Sequence, residues 1–206
     1  MEDMEQKSTV FVIDADPIWG NNIRNTLEIA GFQVKVFDSA ETFLEEYEPG
    51  RPSCLVLSAE LGGGMTGLQL QDELAQQEIK PSIIFTSAES NVANSVKAMR
   101  AGAVDFLQKP FQDVELLARV QEAIDLNQFE RQRHQQASFV SNRIDKLTRR
   151  EKEVMDLVLE GLTNKEIASM LGLSHRTVEL HRSRVMSKMK ADSIVHLVKM
   201  TSEHQL

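Results

Sequence analysis

Apolar positions along the first 125 residues come in five short runs separated by helix-like patterns. The runs are Val10-Phe11-Val12-Ile13, Val34-Lys35-Val36-Phe37, Leu55-Val56-Leu57, Ile83-Ile84-Phe85 and Val104-Asp105-Phe106-Leu107. The first, third and fourth are nearly continuous and β-branched, which predicts parallel strands covered on both faces. Between the runs, Pro17 suits a first helical turn and Gly31 stops that helix. Gly67 to Gln77 carries Leu68, Leu70 and Leu74, and Asn91 to Arg100 ends before Gly102. Five strand–helix units imply an α/β domain with a doubly wound parallel sheet and right-handed crossovers. The working site of such a sheet lies beyond the carboxyl ends of its strands.

The pattern then changes. Asp113 to about Gln136 reads as one long helix with an apolar stripe of Val114, Leu117, Val120, Ala123 and Ile124, with Phe129 a candidate to extend it. Its continuation, LNQFERQRHQQ, is polar and reads either as a linker projecting into solvent or as a short dimer-forming helix pair. Residues 137 to 146 are the expected hinge. From Leu147 the helix signals follow in quick succession. Thr148-Arg149-Arg150-Glu151 and Thr163-Asn164-Lys165-Glu166 are capping boxes, each opening an apolar helix that stops at a glycine, Gly161 and Gly172. Ser174 caps a third helix with Val178, Val185 and Met189 on its apolar face, and Asp192 is the expected cap of a fourth. Short helices separated by tight turns make a helix-turn-helix. The expected division is therefore residues 1–125, a helical linker and hinge over 126–146, and an all-α domain over 147–206.

Charge sharpens this division. The chain's net charge of −8 hides an acidic first part and a basic second part: through Asp125 there are 21 acids and 9 Lys/Arg, and beyond it 10 acids and 14 Lys/Arg. Nucleic acid, if bound, is bound by the second part. No apolar run reaches the roughly 20 residues of a membrane helix, and the acidic, polar start does not read as a signal peptide. The single cysteine, Cys54, lies in an apolar run; it excludes an intramolecular disulfide and fits a reducing cytoplasm.

Candidate chemistry sits in two places. The strand ends carry Asp14, Ala15 and Asp16 after the first strand, Ser58 after the third, Thr86 after the fourth and Lys109 after the fifth. A serine hydroxyl needs an adjacent base to act as a nucleophile, and the first histidine in the chain is His134. With no G-x-S-x-G elbow either, no enzyme is expected. The third helix of the second part presents Arg176, Thr177, Glu179, His181, Arg182, Ser183, Arg184 and Lys188, with one acid against four Lys/Arg. Cations for phosphates and shorter groups for base edges are what a recognition helix needs.

The acidic cluster, MTGLQL, FTS and AGAVDFLQKPF together resemble a response-regulator receiver domain, of flavodoxin-like fold, over residues 9 to about 125. The resemblance implies a metal held by acids after the first strand, a phosphoacceptor Asp ending the third, and a Thr and Lys on the phosphoryl group. Asp14, Asp16, Thr86 and Lys109 match those positions, and Phe106 matches the aromatic switch that works with Thr86. Two positions depart: Ala15 stands where the second acid is expected and Ser58 at the acceptor. Glu60 is the nearest carboxylate. Magnesium prefers several hard oxygen ligands, so losing two carboxylates weakens both ion binding and charge neutralisation. A pocket degenerate in this way holds either an ion-pair cluster, with Lys109 on Asp14 or Asp16, or a small anion or metabolite walled by Trp19. No cofactor or metal is expected.

The stretch LTRREKEVMDLVLEGLTNKEIASMLGLSHRTVELHRSRVMSKM resembles the LuxR/FixJ-type helix-turn-helix, and the order of parts resembles the NarL/FixJ response regulators. That resemblance implies that Glu179, Leu180 and Ser183 face major-groove bases, Glu179 either accepting from a cytosine or orienting Arg182 or Ser183. It implies phosphate contacts for Lys165, Arg176, Thr177, Arg182 and Lys188, with Arg184 on the same helix. It also implies dimerisation on DNA through the last helix, where Ile194, Leu197 and Val198 form either the seam or the core. The function expected is sequence-specific transcription regulation on double-stranded DNA without aspartyl phosphorylation, as a homodimer, with RNA polymerase as a further candidate partner. The alternatives are a phosphorelay regulator with a displaced acceptor and a ligand-sensing regulator.

Overall fold

The computed structural model describes residues 8–47, 53–62, 64–89 and 91–204. The chain divides into two compact units, one through Arg131 and one from Gln132.

In the first unit the elements alternate: β1 (Thr9–Ile13), α1 (Pro17–Ile29), β2 (Gln33–Phe37), α2 (Ala40–Glu46), β3 (Ser53–Ser58), α3 (Gly67–Gln76), β4 (Ser82–Ser87), α4 (Val92–Arg100), β5 (Asp105–Gln108) and the start of α5 (Asp113–Ile144). All strand pairings are parallel and the order is β2-β1-β3-β4-β5, the flavodoxin-like arrangement. The unbroken apolar runs now have a reason. Side chains alternate across a strand, and both faces are covered. Phe11, Ile13, Leu55, Leu57 and Phe85 pack with Phe43, Leu70, Leu74 and Ala98 on one face. Val10, Val12, Val56 and Ile84 pack with Ile23, Leu27, Leu116, Val120 and Ile124 on the other. Cys54 lies fully buried in that second layer, where desolvation pushes its thiol pKa up and leaves it a small apolar filler. The order reverses between β1 and β3, so the candidate site opens at the carboxyl ends of those two strands. Gly67 brings α3 against that end: a Cβ there would lie 2.3 Å from the Ser58 carbonyl oxygen.

The second unit is helical: the end of α5, then α6 (Arg149–Leu159), α7 (Asn164–Leu171), α8 (His175–Met189) and α9 (Ile194–His204). Both capping boxes form, Thr148 with Glu151 and Thr163 with Glu166, and Gly172 ends α7 in the left-handed conformation that glycine adopts freely. Val154, Val158, Ile167, Val178, Val185, Met189 and Leu197 make its core.

Two expectations need correcting. Helix α5 runs on to Ile144 and takes in most of the stretch expected to be a hinge. Val140 and Ile144 belong to the second unit's core, and Arg143 donates to the Met189 carbonyl at 2.9 Å, so tertiary contacts hold this stretch helical. Nor is the polar continuation free of the first unit's body. Asn127 is buried, accepting from the Ser53 amide at 3.1 Å and donating to the Lys80 carbonyl at 3.1 Å. The second correction is at α9. The hydroxyl of Ser193, not Asp192, accepts from the first turn, at the His196 amide.

Candidate nucleic-acid interface and strand-end pocket

At the strand ends, Asp14 and Lys109 meet. The Lys109 ammonium donates to Asp14 Oδ2 at 2.5 Å, and both side chains are almost sealed, 6% and 3% exposed. The second oxygen of Asp14 accepts from the Asp16 amide at 3.0 Å. The Trp19 ring lies 5.2 Å from the Lys109 nitrogen and leans on Phe111, so the cation has a carboxylate and an aromatic face as neighbours. Asp16 turns away: exposed, it caps α1 by accepting from the Ile18 amide at 2.8 Å. Ser58 is buried, and its hydroxyl donates to the Glu60 carbonyl at 3.1 Å. The Glu60 carboxylate accepts from the Ser87 hydroxyl at 2.6 Å. Thr86 is fully buried with no partner for its hydroxyl among the described residues, and Phe106 stacks on Phe85, ring centroids 6.0 Å apart.

The donor set does not fit a divalent cation. Asp14 is spent on Lys109 and on backbone, Asp16 on a helix cap, and Ala15 offers nothing. Among the described residues no three His, Cys, Asp or Glu side chains are grouped to hold a metal. The adjoining groove is lined by Asp14, Asp38 and Glu46 against Lys35, an acidic balance unsuited to a small anion.

In the second unit, α8 presents two kinds of cation. Arg176 and Arg184 are exposed with no partner among the described residues, as is Lys165 on α7. Arg182 is half-buried, and its guanidinium donates to Asn164 Oδ1. Leu180 (50% exposed) and Ser183 share the exposed surface of α8. Glu179 faces His175 at 3.4 Å and not Arg182 or Ser183, so the expected local orienting role is replaced by a helical i,i+4 neighbour. The Thr177 hydroxyl shares a hydrogen bond with Ser174 in the cap of α8.

Two candidate assignments change. Lys188 is already engaged within the unit: its ammonium donates to Glu151 at 2.6 Å and to the Lys146 carbonyl at 3.1 Å. Glu151 is buried and also closes the capping box, and the Lys188 ammonium first, the Thr148 amide second, lower its pKa to about 2. Leu197 is fully buried in the core of its own unit and belongs to no seam, whereas Ile194, Val195 and Val198 stay exposed.

The comparisons with known proteins fall on the same two units. The family "Response regulator receiver domain" matches residues 10–121, and "Bacterial regulatory proteins, luxR family" matches residues 145–201. Nodulation protein W of Bradyrhizobium diazoefficiens is 38% identical over 195 residues, 95% of this chain and 86% of that one. The transcriptional regulatory protein FixJ of the same organism is 35% identical over 197 residues, 96% of each chain. Among solved structures, the response regulator StyR has a TM-score of 0.86 at 38% identity, covering 96% of this chain and 99% of that one. Full-length FixJ from B. japonicum has a TM-score of 0.59 at 33% identity, covering 97% and 98%.

The chain is a response regulator of the NarL/FixJ type. It is thus a transcription regulator with a LuxR-type DNA-binding domain, in a family that is generally non-enzymatic. Among its described residues no helix is long and apolar enough to cross a membrane. Reading the regulator's sequence alone misses Asn164 and Glu151 as partners of Arg182 and Lys188. Both fall inside capping-box motifs, where the helix-start signal accounts for them and nothing marks a long-range partner.

Proposed function

We propose that this response regulator binds specific operator DNA through α8 and that its receiver works without aspartyl phosphorylation. Residues 147–206 form the DNA-binding part in this reading. Lys165, Arg176, Thr177, Arg182 and Arg184 meet phosphates, while Glu179, Leu180 and Ser183 lie at base edges in the major groove. It acts as a homodimer on DNA, with Ile194, Val195 and Val198 offering the exposed apolar surface of α9, and has RNA polymerase as a further partner.

The observation that carries phosphorylation independence is the closed state of the strand-end chemistry. The acceptor position is Ser58, its hydroxyl engaged with the Glu60 carbonyl, while Lys109 of the same strand-end set is already paired with Asp14. A carboxylate attacks phosphorus in its resting ionised form, whereas a hydroxyl needs a base, and no histidine lies in this unit. The Glu60 carboxylate, the displaced acceptor nearest in sequence, accepts from the Ser87 hydroxyl. Control then passes to expression level, dimerisation or a partner.

The test is selection of duplexes from a random pool by the full-length protein, with and without magnesium and a small-molecule phosphodonor. Equal, sequence-selective binding in both is the expected result. Binding that rises with phosphodonor, with phosphate mapped to Glu60 or Ser58, overturns the reading in favour of a displaced acceptor.

A further inference from the structure

Two half-buried cations of α8 are held by different chemistry. Lys188 is paired with a carboxylate, Glu151, which cancels its charge and makes it a tie between α8 and the start of α6. Arg182 is held by an amide, Asn164, which accepts one N–H and leaves the charge whole. A guanidinium has five donors in a fixed fork, so most of them remain for another oxygen ligand.

Asn164 has no helix-based reason to be where it is. Thr163 already caps α7, accepting from the Glu166 amide, while Glu166 closes the box on the Thr163 amide. The Asn164 side chain is explained by what it reaches: a guanidinium eighteen residues on, in the groove lined by Leu162, Lys165, His175 and Glu179.

We propose that Asn164 is a positioning residue for DNA binding: it fixes the Arg182 guanidinium against α7 beside Lys165, ready for a backbone phosphate. The inference rests on reading Arg182 as a phosphate contact. An unanchored arginine must lose its rotamer freedom when it binds; one already held by a neutral acceptor has lost most of it beforehand. Neutrality matters, because a carboxylate at 164 would hold the same fork but remove the charge that releases counterions.

The experiment is a double-mutant cycle on the full chain: Arg182→Ala, Asn164→Ala, both together, and Asn164→Asp. Each is titrated at three salt concentrations against a duplex selected by the parent protein, with thermal unfolding as the folding control. Arg182→Ala is expected to weaken binding about tenfold and to lower the salt slope by about 1. Asn164→Ala is expected to weaken binding about threefold with the slope kept, and to have no further effect once Arg182 is alanine. Asn164→Asp lowers both affinity and slope. If Asn164→Ala weakens binding equally in both backgrounds, or not at all while Arg182→Ala does, the positioning role is overturned and the phosphate reading stands. If Arg182→Ala itself is silent, the phosphate reading falls and takes the positioning role with it.

Discussion

The strand-end pocket of the receiver and the exposed face of α8 hold similar residue types in opposite conditions. In the pocket, Lys109, Asp14, Ser58, Glu60 and Ser87 bond to one another or to nearby backbone. On α8 and the start of α7, Arg176, Arg184 and Lys165 stand exposed without partners among the described residues, and Arg182 is held only by a neutral amide. Charge closed on itself holds elements together, because removing either partner strands the other in low dielectric. Charge left open has a ligand still to find, and a row of open cations suits a polyanion. The same distinction divides Lys188 from Arg182 within one helix.

Substitutions can break this comparison, and the largest effect belongs to the closed side. Asp14→Ala leaves Lys109 buried without its counter-charge and is expected to destabilise the receiver by about 3–5 kcal/mol. Trp19, the chain's single tryptophan and a neighbour of Lys109, reports the unfolding by fluorescence in denaturant. A loss below about 1 kcal/mol would show that the pair ties nothing. Next comes the open side. Replacing Lys165, Arg176 and Arg184 together by alanine is expected to weaken DNA binding about a hundredfold and flatten the salt slope by nearly 3, with folding unchanged. A loss of fold with the slope intact would place these cations among the structural ones.

A smaller effect is expected at Glu151. Glu151→Gln keeps a capping-box side chain but loses the charge paired with Lys188, for about 2 kcal/mol, read as faster hydrogen exchange in α6 and α8. The sign with pH follows from a carboxyl held near 2 when folded, against 4.5 otherwise. Its stabilisation is complete above about 4.5 and is lost as pH falls through 2, so parent and variant should converge in stability towards pH 2. A gap that persists unchanged there would mean the charge is not what the glutamine lacks. The smallest effect is expected at Ser58: Ser58→Ala removes one hydrogen bond, about 1 kcal/mol or less, and leaves DNA binding and its indifference to phosphodonor unchanged.

Much of this protein is written in local pattern. Unbroken apolar runs mark strands sandwiched between two layers, and the alternating order of strands and helices implies the parallel sheet. Thr148, Thr163, Ser174, Gly161 and Gly172 mark the helices of the second unit because caps and stops involve residues only a few positions apart. The candidate set on α8 is legible for the same reason: one helix carries it. What local pattern does not carry is the pairing of residues distant in sequence. Lys109 reaches back 95 residues to Asp14, Lys188 reaches 37 to Glu151, and Arg182 reaches 18 to Asn164. Each lysine or arginine looks alike along the chain, and only packing decides which is spent. The same holds for Leu197, indistinguishable by composition from its exposed neighbours until the helix docks, and for residues 137–144, helical because Val140, Arg143 and Ile144 find partners in the second unit. Sequence by itself determined the elements, their order and the kinds of side chain each presents, because those rest on backbone geometry over a few residues. Tertiary structure decided which charges are cancelled and which remain open, because that depends on which distant atoms come within hydrogen-bond reach.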